Sequence, residues 1–407
     1  MVSKKEDRSV SPKAMVLRVL SVPAAIALLV ARLLPSRSAS PGAANTASAP
    51  AVLLAPPGGG NIGDEAMVAS FIKNTPGEVL VVVRRRADIR ILSTVENRVS
   101  VVEMPHLFYR RSLRALVDLG RYWRLLGHAR SVALVGADIM DGAYNEDASV
   151  ARAQALELAR RRGLDVRVLG FSWNGTASAR ATHHLRRASE SGVIMCVRDE
   201  FSLARIVRDG ISSTRQVSDV VFALFGDPSE QDLPQRDRVI VNASGLVARD
   251  GNMTSTYANV CSDLVSRGYS VTLLPHVIRG GGDDLAACRA VAGRLPAGTV
   301  EVVEGLLSPF EVYDLCRRAA LVVSGRMHLG VIGLCAGAVP VLISTQGKVE
   351  GLMKFFGLEV NAVPIVSGQV ATLPAVVEAA LDSLDEMSAR VDRELARVRH
   401  LASGNFE

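Results

Sequence analysis

Aromatic residues are scarce in this 407-residue chain. Phe, Trp and Tyr together make up 4% of it, although hydrophobic residues as a whole make up 48%. The apolar residues are therefore mainly aliphatic, with Ala, Val and Leu dominant. Aliphatic strands and alanine-rich helices are typical of α/β proteins, and a chain of this length predicts two domains.

Cysteines are also few, and they form no C-x-x-C pair. There are five of them, an odd number without regular spacing, which excludes a disulfide framework and indicates a reducing compartment. The chain has no H-x-x-H pattern, no Cys/His cluster and no dense acidic site, so we predict no metal site. A G-x-S-x-G nucleophile elbow and a Walker phosphate loop are absent as well.

An excess of positive charge is missing from most of the chain. The net charge is +6, but residues 1–45 carry seven basic against two acidic side chains, which leaves +1 for all the others. A near-neutral body argues against a nucleic-acid partner. The basic amino-terminal segment is suited instead to an anionic membrane surface.

No apolar run at the amino terminus reaches the length of about 20 residues that a bilayer-spanning helix needs. Val19–Ala31 is the nearest candidate and is bounded by Arg18 and Arg32. The following stretch to Pro50 is rich in Ser, Ala, Gly and Pro, which is typical of a flexible linker. Three interpretations stay open for this leader: a peripheral anchor or weak span, an export signal, and a segment without function.

The rest of the chain alternates buried strands with helices. This alternation predicts parallel sheets covered on both faces, in two doubly wound, Rossmann-like domains that face a cleft. The arrangement is similar to the two-domain GT-B architecture of glycosyltransferases. We predict a leader and linker at 1–50, domains at 51–226 and 238–365 joined by the polar stretch Asp227–Asp237, and a helical tail at 366–407.

A glycine-rich loop follows the first predicted strand and opens the first predicted helix. Gly58–Gly63 satisfies the G-x-G-x-x-G pattern of a dinucleotide site, but the acidic residue expected about 20 positions later is replaced by Arg84–Arg86. Those arginines suit a 2′-phosphate, so an NADP-dependent oxidoreductase stays open. The same backbone can instead bind an anion or a sugar hydroxyl, and a tight turn without a ligand is the third interpretation.

Five stretches in order resemble the motifs of the polysaccharide pyruvyl transferase family. Gly60–Glu65 is similar to its G-N-x-G-D-E opening, and Val135-Gly136-Ala137-Asp138 to its G-G-G-D turn, with Ala137 where glycine is usual. The later motifs R-D-x-x-S, D-x-x-F and S-x-R-x-H are matched at Arg198–Ser202, Asp219–Phe222 and Ser324–His328, and Ala336–Val341 and Lys348–Gly351 fit as well.

The resemblance implies transfer of a pyruvyl group from phosphoenolpyruvate to two sugar hydroxyls as a ketal, in the synthesis of cell-surface polysaccharide or glycolipid. This chemistry needs an acid near the methylene carbon, a base for the hydroxyl, and cations for the carboxylate and phosphate. By resemblance, the catalytic residues are His328 and Asp138. The implied donor-binding residues are Arg198, Arg326, Gly60, Asn61 and Gly63.

Further residues are expected to line the cleft on the acceptor side. His276 and Ser324 each lie just after a predicted strand, and Asp64 adds a polar edge to the glycine-rich loop at the start of the first predicted helix. Arg198 has a competing interpretation as half of a surface pair with Asp199, and Asp138 has one as a helix N-cap.

The implied partners are phosphoenolpyruvate as co-substrate and a glycan or lipid-linked saccharide as acceptor, with no further cofactor. A phosphorylated cytosolic donor places the reaction in the cytoplasm, with the leader in peripheral contact with the inner face of the plasma membrane. A nucleotide-sugar glycosyltransferase is the alternative from the same two-domain architecture.

Overall fold

The computed structural model describes residues 49–91, 93–109, 113–226, 236–245, 251–280, 283–344 and 347–407. Within these ranges the chain forms two separate β-sheets. None of the helices found there is long and apolar enough to cross a membrane. Of the predicted leader at 1–50, only residues 49 and 50 are described. Of the predicted linker 227–237, only residues 236 and 237 are described.

The first sheet has seven strands. They are β1 Ala51–Leu54, β2 Val79–Val83, β3 Val99–Glu103, β4 Ser131–Val135, β5 Asp165–Phe171, β6 Ile194–Val197 and β7 Thr214–Gln216. All are parallel, in the order β3-β2-β1-β4-β5-β6-β7. The helices of this part are α1 Ile62–Asn74, α2 Arg114–Leu126, α3 Glu146–Arg161, α4 Ala179–Glu190 and α5 Glu200–Arg208. The winding reverses between β1 and β4, where a crevice opens at the carboxyl ends of the strands.

The second sheet repeats this plan with six parallel strands. They are β8 Arg238–Asn242, β9 Ser270–Leu273, β10 Glu301–Val302, β11 Ala319–Ser324, β12 Val339–Ser344 and β13 Ala362–Pro364. Their order is β10-β9-β8-β11-β12-β13. The helices are α6 Gly251–Ser266, α7 Asp284–Ala292, α8 Pro309–Arg317, α9 Met327–Cys335, α10 Lys348–Lys354, α11 Leu373–Asp382 and α12 Leu384–Ser403. Here the winding reverses between β8 and β11.

The central strands form because they are continuous aliphatic runs. Every residue of β1 and of β11 is buried, as expected for parallel strands with both faces covered. Several helices begin at a residue whose polar side chain accepts a hydrogen bond from a backbone N–H of the first turn. This hydrogen bond satisfies an N–H group that has no partner within the helix. The N-cap residues of this kind are Asn61, Asn145, Ser178, Asp199, Asp283 and Ser308.

An apolar interface joins the two sheet units. Phe225, just after β7, stacks on Tyr313 of α8 with ring centroids 4.3 Å apart, and Phe222 lies 5.9 Å from Phe356. Helix α12 then returns to the first sheet, where Ser218 donates to the Val398 carbonyl at 2.6 Å. The end of the predicted helical tail therefore packs on the first unit.

Candidate active site

The glycine-rich loop lies against the second unit. The Ile62 N–H donates to the His276 carbonyl at 3.1 Å, and the Ile278 N–H donates to the Gly60 carbonyl at 2.9 Å. A Cβ on Gly60 would lie 2.1 Å from the Ile278 oxygen, and its φ is +76°. Only glycine fits there, because the two backbones approach closely in a left-handed conformation. The loop that the sequence indicated as a ligand site is therefore also the contact between the two units.

His328 is placed across the cleft from the first unit by the turn between β11 and α9. Its imidazole packs on Gly63, where a Cβ would lie 2.5 Å from Nδ1. Its Nε2 lies 3.4 Å from Asp219 Oδ2, an ion-pair contact not aligned as a hydrogen bond. The side chain is 15% exposed. The ring thus has a charged partner on one side and access to the cleft.

Asp219 joins His328 to Arg198. Arg198 Nη1 donates to the same Oδ2 at 2.8 Å, and both side chains are buried. Burial alone raises the pKa of this carboxyl, but His328 and Arg198 outweigh burial and hold the pKa well below its usual range. Arg198 is therefore not half of a surface pair with Asp199. Asp199 instead caps α5 through the Ser202 N–H at 2.7 Å.

Arg326 is held by a buried carboxylate of its own. Its guanidinium donates to both oxygens of Asp284, at 2.7 Å from Nη2 to Oδ1 and 3.1 Å from Nε to Oδ2. Asp284 also accepts the backbone N–H of Val277 at 2.9 Å. Ser324 is buried, and its hydroxyl accepts the Arg326 N–H at 2.9 Å. Ser324 therefore fixes the turn that carries Arg326.

Asp138, which follows β4, forms an ion pair across the cleft. Lys348 Nζ of α10 lies 2.6 Å from Asp138 Oδ2, and the Tyr144 hydroxyl donates to that oxygen at 3.2 Å. Burial raises the pKa of Asp138, but Lys348 and the more distant Arg198 outweigh burial and lower the pKa to about 2. Asp138 is not a helix N-cap, because Asn145 caps α3.

Asp64, in the first turn of α1, is a buried carboxyl facing the same charges. Burial raises its pKa to about 6, although His328 and Arg279 partly offset that shift. This carboxyl exchanges its proton near neutral pH. Asp64 thus differs from Asp138 and Asp219, which stay ionised.

His276 is the least satisfied polar side chain of the cleft. It is 1% exposed, and neither ring nitrogen has a hydrogen-bond partner among the described residues. Burial, with the positive charges of His328 and Arg326 nearby, holds its pKa well below the ordinary value, so the ring is neutral. A neutral imidazole has one donor and one acceptor to offer a ligand.

The structure brings together His328, Arg198, Arg326, Asp138, Asp64 and His276, and it adds three residues. Asp219, Asp284 and Lys348 hold the histidine and the cations in position. Asp219 and Lys348 lie in stretches that resemble family motifs, D-x-x-F and Lys348–Gly351. Nothing in the sequence indicated which residues they pair with. A small pocket lies beside Asp138, Ser172 and Lys348. No group of three metal-ligating side chains occurs in the described ranges.

Similar folds occur among solved structures of sugar-nucleotide enzymes. UDP-GlcNAc 2-epimerase from Neisseria meningitidis, bound to UDP-GlcNAc, is similar with a TM-score of 0.58 and 12% identity over 87% of this chain and 97% of that one. HepE of Anabaena, in complex with UDP and glucose, has a TM-score of 0.55 and 13% identity over 86% and 95%. UGT2 of Phytolacca americana has a TM-score of 0.51 and 10% identity over 87% and 94%. At such identities the likeness establishes the GT-B-type fold alone.

The sequence comparisons identify the family. No curated protein matches the chain. The family model of polysaccharide pyruvyl transferase matches residues 61–347, a range that begins in the glycine-rich loop and includes every site residue named above except Gly60 and Lys348. Because that range is most of the chain, this protein belongs to the polysaccharide pyruvyl transferase family.

Proposed function

We propose that the protein transfers a pyruvyl group from phosphoenolpyruvate to two hydroxyls of a glycan or lipid-linked saccharide. The observation that carries the proposal is the Arg198–Asp219–His328 cluster, which sets a histidine between a buried ion pair and the cleft. An imidazole held in this way can serve as a general acid and as a general base for a ligand in the cleft.

The reaction assigns a task to each group. His328 protonates the methylene carbon of phosphoenolpyruvate while a sugar hydroxyl adds to the adjacent carbon and loses its proton to a base. The carbon–oxygen bond to phosphate then breaks, phosphate leaves, and the second hydroxyl closes the ketal and releases its proton. Asp138 and Asp64 are the candidate bases for the hydroxyls. Asp64 is suited to this task because its pKa of about 6 lets it accept a proton and release it.

The donor is an anion, and the cations of the cleft suit it. Arg198 and Arg326 would hold the carboxylate and phosphate, and each is already oriented by a buried aspartate. His276 would add a neutral hydrogen bond. Gly60, Asn61 and Gly63 would let the backbone of the glycine-rich loop approach the ligand. The Ile62 and Gly63 N–H groups are already used within the protein, so the loop acts through its shape.

A cytosolic donor supports a cytoplasmic protein that works at the inner face of the plasma membrane on an acceptor destined for the cell envelope. The leader at residues 1–50 would add peripheral membrane contact. No resident cofactor or metal is needed for this reaction.

The test is ligand-induced stabilisation of the protein by phosphoenolpyruvate, UDP sugars and NADPH, measured in parallel as the shift in melting temperature. A ligand that binds only the folded state must raise its stability. UDP sugars are included because the three similar structures described above hold UDP compounds, and NADPH because Arg84–Arg86 follows the glycine-rich loop. We expect a shift with phosphoenolpyruvate alone.

Arg326→Gln should abolish that shift, whereas Arg267→Gln should leave it intact. Arg267 forms an exposed pair with Glu378 far from the cleft and is the matched control. A shift with a UDP sugar or NADPH and none with phosphoenolpyruvate would contradict the proposal.

A further inference from the structure

Helix α2 begins with an exposed apolar face. Leu113, directly before the helix, is 79% exposed, Leu116 is 39% exposed and Val117 is 62% exposed. The opposite face of α2 packs on the first unit through Ala115, Tyr122 and Leu126, all buried. The other large exposed apolar side chains of the described residues are scattered, so this single turn is the exception.

Exposed arginines lie beside this apolar turn. On the helix itself the exposed cations are Arg114, Arg121 and Arg124. The exposed run Arg84–Arg86 continues the surface. The Arg84 guanidinium lies 4.7 Å from the Tyr109 ring centroid. The loop that carries Tyr109 is attached to α2, because the His106 N–H donates to Asp118 at 2.8 Å. Asp118 is buried and paired with Arg121, and the exposed acid of this region is Glu103. The surface therefore has a net positive charge.

The surface lies on the side where the cleft opens. Arg84–Arg86 follows the carboxyl end of β2, the same edge of the sheet at which the glycine-rich loop begins. A Cβ on Gly59 of that loop would lie 2.9 Å from the Ala87 carbonyl oxygen, and the Gly58 N–H donates to Asp88 at 3.4 Å. An object bound to this surface is therefore next to the entrance of the candidate active site.

We propose that the surface formed by Arg84–Arg86 and Leu113–Arg124, here called the α2 surface, docks on an anionic phospholipid bilayer. Aliphatic side chains beside exposed arginines match the boundary between acyl chains and acidic headgroups. A stable interface between two protein copies buries more than about 1,000 Å², which three aliphatic side chains do not supply. The inference is independent of the reaction and of the predicted anchor at residues 1–50.

A fluorescent label at the α2 surface tests the docking in the full-length protein. Leu113→Cys can be labelled selectively with an environment-sensitive fluorophore because the five native cysteines are all buried. Val360→Cys, at a valine that is 72% exposed in the second unit, is the matched control. The probes are vesicles of phosphatidylcholine mixed with phosphatidylglycerol, and vesicles of phosphatidylcholine alone.

We expect a blue shift and brighter emission from the label at position 113 with the anionic vesicles and none from the label at position 360. This readout reports contact at the α2 surface whether or not the leader also binds. No change at position 113, or an equal change at both positions, would overturn the proposal. A blue shift that grows with protein concentration without vesicles would also overturn it, because it would assign the surface to self-association.

Charge variants test the electrostatic part by co-sedimentation with the same anionic vesicles. Arg114→Gln combined with Arg124→Gln should weaken the binding by roughly five-fold for each arginine, since each basic residue near the surface contributes by about that factor. Arg289→Gln, at an exposed arginine of the second unit, is the control and should leave binding unchanged. Equal binding by the double variant and the wild type would contradict a contribution of the α2 surface.

Discussion

At the scale of single residues, His328 is the group on which the proposed chemistry depends most. We expect His328→Gln to lower turnover by roughly 10²–10⁴-fold, the usual contribution of a general acid. The measurement is phosphate release from phosphoenolpyruvate in the presence of acceptor. The variant should remain folded, because Arg198 still pairs with Asp219 when His328 is replaced. His128→Gln, at an exposed histidine, is the control, and similar turnover in the two variants would remove His328 from the mechanism.

Asp64 should make the stability of the protein depend on pH in an identifiable way. Its pKa rises on folding from 3.8 to about 6, mainly through burial, so the folded state binds the proton more tightly than the unfolded chain. The stability that the protonated carboxyl contributes is fully present below about pH 4 and is lost as the pH rises through 6. Two pKa units correspond to roughly 3 kcal/mol.

Asp64→Asn removes this loss. At pH 8 we expect the variant to have a free energy of unfolding about 1–3 kcal/mol higher than the wild type, and at pH 4 we expect the difference to vanish. Urea unfolding at both pH values measures it. The exposed Asp263→Asn is the control. A difference that is the same at both pH values would show that ionisation of Asp64 is not the cause.

At the scale of elements, the start of α1 must come close to His328. Gly63→Ala would put a Cβ 2.5 Å from the imidazole, so either the helix or the ring must move. We expect a loss of about 1–3 kcal/mol in the free energy of unfolding and at least about a ten-fold loss of turnover, because the ring leaves its working position.

Gly120→Ala is the matched control for this glycine. It lies inside α2, where a Cβ meets no atom within 4 Å. Alanine there should raise the free energy of unfolding by about 0.5–1 kcal/mol, the usual cost of a glycine in a helix. Unfolding in urea compares both variants with the wild type. If alanine stabilises the protein at position 63 as well, the close approach to His328 is not a constraint.

The elements of the central sheets could be predicted from the sequence because they are long aliphatic runs. Val79–Val83 and Val132–Val135 are such runs, and they form β2 and all but the first residue of β4. The edge strands β7 and β10 were not predicted, because Thr214–Gln216 and Glu301–Val302 are short and polar. Such strands form only because a neighbouring strand supplies their hydrogen bonds, and no local pattern records that pairing.

The residues of the candidate site could be predicted in part from the sequence, but the contacts between them could not. The resemblance indicated His328, Arg198 and Arg326, and the structure brings them to one cleft. It could not indicate that Asp219 lies between Arg198 and His328, because Asp219 and His328 come from different units and are joined only by the fold. The ion pair between Asp284 and Arg326 depends in the same way on tertiary contacts.

At the scale of the whole molecule, Lys348–Asp138 and Lys354–Glu200 join the two units in addition to the Asp219–His328 contact, and these two lysine pairs should differ in strength. Lys348–Asp138 is partly buried, with 18% and 23% of the side chains exposed. Lys354–Glu200 is exposed, at 46% and 44%. Solvent and salt screen an exposed pair, which contributes about 0–1 kcal/mol, whereas a pair shielded from water couples more strongly. The buried pair should therefore hold the cleft closed.

A double-mutant cycle for each pair measures this difference. For Lys348→Gln and Asp138→Asn we expect a coupling free energy of about 1–3 kcal/mol from urea unfolding, and for Lys354→Gln and Glu200→Gln about 0–1 kcal/mol.

Loss of the Lys348–Asp138 pair, but not of the Lys354–Glu200 pair, should also change the shape of the molecule, because it frees the two units to separate. An increase in the radius of gyration from small-angle scattering in Lys348→Gln, without one in Lys354→Gln, is the expected result. Equal couplings and unchanged radii would mean that the apolar interface at Phe222 and Phe225 closes the cleft by itself.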